Sequence, residues 1–149
     1  MKFENNCIIP VPQSKLWAFL TDIPKVATCL PGVEEVHAVD EKNYSGTLSV
    51  KVGIIKLRMS GKILIEQMDA ASHTAIMAVQ ASDQRISGMV QGRMTMSLHE
   101  VSPQETRLKV GTDLNLMGKI GEFGQSIVKK KADQMMDEFA RNLAAGAGA

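Results

Sequence analysis

The chain has 149 residues and a mass of 16.2 kDa, the length of one ordinary domain. An apolar share of 44% and a charged share of 22% lie near globular averages and exclude wholesale disorder and coiled coil. With 17 basic residues against 16 acidic ones and only 4% aromatics, it has neither the basic excess nor the stacking rings of a dedicated nucleic-acid binder.

In chain order, residues 2–9 read as a strand that Pro10 and Pro12 end. Pro12 or Ser14 then opens a short helix, Lys15–Leu20, because proline is tolerated in a first helical turn and serine caps. A second short helix follows Asp22 over Pro24–Leu30 and stops at Pro31-Gly32. From there the period changes to two. Strands are predicted over Val33–Val39, Tyr44–Val52, Ile55–Gln67, Thr74–Ala81, Ile86–Leu98 and Thr106–Leu116. Leu64 and Met89 break the alternation, and Thr74–Ala81 is apolar on both faces. The links are short and rich in turn residues, which implies an antiparallel meander with one wet face. Phe123, Ile127, Val128, Ala132, Met135, Phe139 and Leu143 then recur at three- and four-residue spacing, predicting a helix from about Gly121 to Leu143. The AAGAGA tail is expected to fray, so the domain is read as residues 1–145 with a disordered 146–149.

The class is therefore α+β: one strand, two short helices, six strands, one long helix. A curved sheet with a single apolar face must be covered, and the long helix is the only element large enough to do it. Where sheet and helix diverge, a cavity is expected.

Catalytic and metal chemistry find little support in the residue pattern. His37, His73 and His99 are scattered without zinc-type spacing. Cys7 and Cys29 suit a reduced, cytoplasmic protein and read as small buried apolar residues. The first residues hold no apolar run of signal-peptide length, and no run of about 18 apolar residues would span a membrane. Glu34, Glu35, Glu66, Asp69, Asp83 and Asp113 fall on wet faces or turns, where carboxylates are not desolvated. Gly118, Gly121 and Gly124 lie between a strand and a helix, but their spacing is not a phosphate-binding fingerprint, and they read as a hinge. Lys129-Lys130-Lys131 reads as a solvated helix face.

Methionine is the compositional outlier, with 10 Met against 4 Phe, 1 Trp and 1 Tyr. Thin, flexible thioethers and the bare positions Gly61, Gly88 and Gly92 leave an interior partly open. The inward phase of the strands and the apolar stripe of the helix give the expected lining of the cavity. Those residues are Leu57, Met59, Ile63, Val90, Met94, Met96, Leu116, Met117, Phe123, Ile127, Met135 and Phe139. Leu116, Met117, Ile120 and Phe123, with Lys119 among them, are further expected to form a mobile apolar rim in weak contact with a membrane surface.

Leu30-Pro31-Gly32-Val33-Glu34, Val50-Lys51-Val52-Gly53-Ile54 followed by Ser60-Gly61-Lys62-Ile63, and Gly124-Gln125-Ser126-Ile127 opening the long helix narrow the reading. With this element order they resemble the CoxG family, named for the CoxG subunit of carbon monoxide dehydrogenase, within the START-like, or SRPBCC, helix-grip superfamily. The resemblance covers residues 1 to about 145. The chain departs from it in the glycine-poor segment Ser82–Gly92, in Ile54 where the family often has proline, and in ending at Ala149 where longer members continue into an apolar membrane-binding segment. The resemblance implies a helix-grip fold, with a seven-stranded sheet wrapped around the long helix. It also implies a lipophilic ligand such as a quinone and a molybdenum hydroxylase or dehydrogenase as partner at the inner membrane face. Direct anchoring is not expected of the chain as it stands.

The leading expectation is thus a non-catalytic binding module without a cofactor. One alternative is an enzyme of the cyclase or dehydratase type found in the same superfamily, which needs an acid–base pair in the cavity. The other is an assembly factor for the dehydrogenase.

Overall fold

The computed structural model describes residues 1–148; Ala149, the last residue of the tail expected to fray, lies outside them. The elements are β1 (Lys2–Ile9), α1 (Gln13–Leu20), α2 (Ile23–Ala27), β2 (Val33–Ala38), β3 (Asn43–Val52), β4 (Ile55–Asp69), β5 (Thr74–Asp83), β6 (Gly88–Ser102), β7 (Glu105–Gly118), a 3₁₀ turn (Lys119–Glu122) and α3 (Gln125–Gly148). The seven strands form one antiparallel sheet in the order β1-β7-β6-β5-β4-β3-β2. Strands β2 to β7 make a meander of consecutive hairpins, and β1 pairs with β7 at the edge.

The pairing register settles the face of β5. Met77 lies opposite Ile65 and Met94, and Val79 opposite Ile63 and Gly92. Ala75, Met77, Val79 and Ala81 therefore share the inner face with Leu57, Met59, Val90 and Leu116. Strong curvature follows from α3 lying near both β1 and β3, which four strands separate within the sheet. Gly92 permits that curvature: a Cβ there would stand 2.0 Å from the Asp113 carbonyl oxygen of the neighbouring strand. The glycine thus serves close strand approach as well as leaving an inner position bare.

The helices differ from the sequence expectation at their ends. α1 starts at Gln13, with the Leu16 amide donating to the Pro12 carbonyl at 3.0 Å. In α2, the Asp22 carboxylate accepts from the Lys25 amide at 3.3 Å, and the α-helix ends at Ala27. Thr28, Cys29 and Leu30 then donate to carbonyls three residues back, so the predicted last turn is present in a tighter form. Gly121 and Gly124, poor helix formers, keep the long helix from starting before Gln125. At its other end α3 continues past Leu143 through Gly148. The AAGAG stretch expected to fray is helical because Ala147, 3% exposed, packs beside Val11, Leu16 and Leu143.

α3 runs parallel to β1. The Gln125 side-chain amide donates to the Lys2 carbonyl at 3.3 Å, the Lys129 ammonium lies 5.8 Å from the centre of the Phe3 ring, and the Asn5 amide donates to Asp133 at 2.6 Å. Four helical residues and two strand residues both advance about 6 Å, which keeps the two elements in step.

The apolar interior is divided. One cluster joins Ile9, Val11, Leu16, Leu20, Cys29, Leu98, Leu108 and Val110 to Phe139, Leu143 and Ala147 of α3. The other joins Val52, Leu57, Met59 and Ile120, with Val90, Leu116 and Phe123 around them, at the opposite end of the sheet.

Candidate functional site

Between the two clusters lies one rung of the sheet, Ile63–Val79–Gly92–Leu114, formed by direct cross-strand partners. All four are partly exposed, as are Val128, Ala132 and Met135 in the first half of α3. These are apolar positions on the inner face of a gripping sheet, yet none is sealed. Beyond the rung, Thr112 is 8% exposed and opposite both Met94 and Phe3, and it brings a hydroxyl to the same face.

The residues expected to line a cavity fall into three groups. Leu57 and Met59, each 5% exposed, are packed into the Ile120 cluster, and Val90, Leu116 and Phe123 surround them. Phe139 belongs to the other cluster, against which Met94 and Met96 pack. Ile63, Met117, Ile127 and Met135 belong to neither, with Ile127 47% and Met117 38% exposed. The structure thus distributes these residues over two packed ends and an open middle, and Met117, paired with Met89 in the phase of Gln91 and Asn115, falls on the outer face, opposite to Leu116.

Two surface depressions are also present. One of about 510 Å³ lies between α2 and the end of α3, lined by Phe19, Pro24, Cys29 and Asn142. One of about 530 Å³ is on the outer side of the sheet among Lys62, Leu64, Gln80, Gln91 and Asn115 and touches Ile63, Val79 and Gly92. Neither lies between α3 and the inner face, where the sequence places the ligand. There, the observation is the partial exposure of the central rung.

Two parts of the sequence expectation are corrected. Asp83, expected on a wet turn, is 1% exposed. It ends β5 and accepts from the Arg58 amide at 2.8 Å, the Arg85 amide at 2.9 Å and the Arg85 guanidinium at 3.2 Å. Its carboxyl is held down to about 2 from the usual 3.8, first by the Arg85 side chain and then by the Arg58 amide. Ile120, expected on an exposed rim, is 1% exposed, because it fills the space that a side chain at Gly88 would need; a Cβ there would stand 2.3 Å from its Cγ1. Of the expected rim, Met117 and Lys119 are the exposed members.

Ionisable groups where α3 lies along β1 are tied up. Asp133 accepts from both Lys129 and Asn5, which lower its pKa in that order. Half-buried Cys7 has its thiol pushed up by burial and then by Asp137. Cys29 is buried in the larger cluster. His37 meets Glu35 at 2.7 Å, and His73 packs edge-on against Trp17 with ring centres 5.4 Å apart. Among the described residues, no group of three or more His, Cys, Asp or Glu side chains is placed to hold a metal ion, and no helix is long and apolar enough to cross a membrane.

Sequence reasoning missed the burial of Asp83, which its position near a turn concealed. It noted Ile54 only as a departure from the family's usual proline and did not foresee that it stands 89% exposed at the β3–β4 turn.

A family model describing the CoxG subunit of carbon monoxide dehydrogenase matches residues 6–148. No curated protein sequence matches the chain. Among solved structures, a conserved protein from Geobacillus kaustophilus superposes with a TM-score of 0.89 at 15% identity, over 99% of this chain and 95% of that one. The ZhuI aromatase/cyclase from Streptomyces sp. R1128 gives 0.68 at 14% identity, over 99% and 93%. A START superfamily protein from Mycobacterium smegmatis gives 0.67 at 11% identity, over 97% and 94%. At such identities these three likenesses speak for the helix-grip fold alone.

Proposed function

The chain belongs to the CoxG family of carbon monoxide dehydrogenase subunits, and from that membership we propose that it is a non-catalytic carrier of a lipophilic molecule, most simply a quinone. The observation that carries the reading is the half-open apolar rung Ile63–Val79–Gly92–Leu114 between two sealed clusters. An isoprenoid or acyl chain laid along it gains about 25 cal/mol for each Å² of apolar surface removed from water, so affinity requires no catalytic group. Met77, Met94 and Met135 beside the rung adapt to a ligand of irregular outline.

The family name associates such chains with carbon monoxide dehydrogenase, and a molybdenum-containing dehydrogenase of that type is the partner proposed here. Electrons leaving such an enzyme need an acceptor soluble in the membrane, which a carrier of this kind delivers. A cyclase-type enzyme is the rival, supported by a fold shared with ZhuI. It would need an acid–base pair in the groove. Asp133, where α3 lies along β1, is committed to Lys129 and Asn5, which favours binding over catalysis.

Native mass spectrometry of gently purified protein tests the reading, together with titration of a short-chain quinone followed by the fluorescence of Trp17, the only tryptophan. A co-purifying lipophile and saturable quenching are expected. Absence of both overturns the carrier.

A further inference from the structure

Three turns meet at the end of the sheet where α3 begins. The β3–β4 turn is Gly53-Ile54, with Val52 paired to Ile55. The β5–β6 turn lies beside it, since the Arg85 guanidinium donates to the Lys56 carbonyl at 3.4 Å. The β7–α3 connection is the third: Gly118 is paired with Gly88, and Ile120 packs with Val52 and Leu57. This end carries Ile54 at 89% exposure, with Ile55 and Met117 each 38% exposed.

The charges around it are mainly positive. Lys51 and Lys56 are both exposed and directly opposite each other in the ladder, and neither has an acidic partner among the described residues. Like charges so placed weaken a sheet unless something negative lies against them. Lys119 and Arg85 add to the same end. Of its three acids, Asp83 is bound by Arg85 and Glu34 by Arg58, which leaves Glu122. The turns at the opposite end carry Asp40, Glu41, Asp69, Glu100 and Glu105 against Lys42.

We propose that the turn end formed by Ile54, Ile55, Met117, Lys51, Lys56 and Lys119 docks on an anionic lipid bilayer. This rests on the carrier reading for its purpose, because the docked end carries the smaller of the two clusters that flank the open rung. A bilayer fits better than an acidic protein: a lone isoleucine at a hairpin tip enters acyl chains without a matching pocket, while paired lysines remain at the headgroups. Attachment is weak and falls with salt.

The test is flotation of the whole chain with phosphatidylcholine vesicles, with and without phosphatidylglycerol, beside quinone titration of the same samples. Flotation is expected only with the anionic lipid. Ile54→Ser should weaken it about tenfold, the loss of one inserted isoleucine. Lys51→Gln and Lys56→Gln should each weaken it about fivefold at low salt. Val39→Ser, at the opposite end and 68% exposed in the wild type, should leave it unchanged. All of these positions are exposed, so none of the variants should melt below the wild type. No flotation with either vesicle, flotation insensitive to Ile54→Ser, or capture by acidic proteins alone overturns the docking face. Quinone binding without flotation overturns docking and leaves the carrier standing; flotation without quinone binding does the reverse.

Discussion

Asp83 shows how a single carboxylate secures a strand end. It accepts two backbone amides and a guanidinium at the last residue of β5, so β4 and β5 stay joined where their ladder stops. Because its pKa is lower folded (about 2) than the usual 3.8, its contribution is fully present above that usual value. It is lost as pH falls from 3.8 through about 2. Asp83→Asn is therefore expected to lower the melting temperature at neutral pH and to flatten the loss of stability across that acid range, both measurable by circular dichroism melts. Unchanged melts would assign the end of β5 to packing alone. The methionines allow a second residue-scale prediction. Met135 lies outside both clusters, whereas Met94 packs against the larger one. Met135→Trp should reduce quinone affinity with little change in melting temperature. Met94→Trp should do the same but also cost about 1–3 kcal/mol by overpacking. Equal affinity in both variants alongside lowered stability would mean that this space is ordinary core.

At the scale of elements, α3 holds more of the molecule than its periodicity announced. Ala147 and Ala144 add to the larger cluster, and Lys15 donates to the Gly148 carbonyl at 3.3 Å. Ending the chain after Leu143 is expected to cost about 1–2 kcal/mol, the burial of those methyl groups and their backbone. Urea unfolding decides, and an unchanged midpoint would mean that the last turn contributes nothing. Alternation made the strands and their inner faces legible, since Leu57, Met59, Val90, Met94 and Leu116 all fall on the side that their phase gives them. Thr74–Ala81 was not legible, because only pairing with Ile63, Gly92 and Met94 separates its two apolar faces. The helix end was missed because alanine and glycine carry no amphipathic signal; the burial of Ala147 is set by Val11 and Leu16, far away in sequence. Asp83 and Ile120 were missed for the same kind of reason. Each is buried by a partner from another segment, Arg58 for one and Gly88 for the other.

On the scale of the whole molecule, a net charge of +1 conceals two unlike ends, one with Lys51, Lys56 and Lys119 and the other with Asp40, Glu41, Glu100 and Glu105. The two apolar clusters divide the molecule along the same axis, and this division has a bearing on motion. The larger cluster ties α1, β1, β6, β7 and the second half of α3 together, whereas the smaller has four sealed residues, one of them from a 3₁₀ turn. A unit with so little burial opens at lower free energy than the rest of the chain. Amide hydrogen exchange should therefore occur in two tiers. The amides of β3 and β4 near Gly53, and those around Ile120, should exchange by local opening, insensitive to small amounts of denaturant. The amides of Leu98, Leu108 and Leu143 should exchange only with global unfolding. Uniform protection across both sets would mean that the interior behaves as one cooperative body. A two-tiered pattern would let the end of the sheet breathe, admitting a bulky guest while the remaining scaffold stays folded.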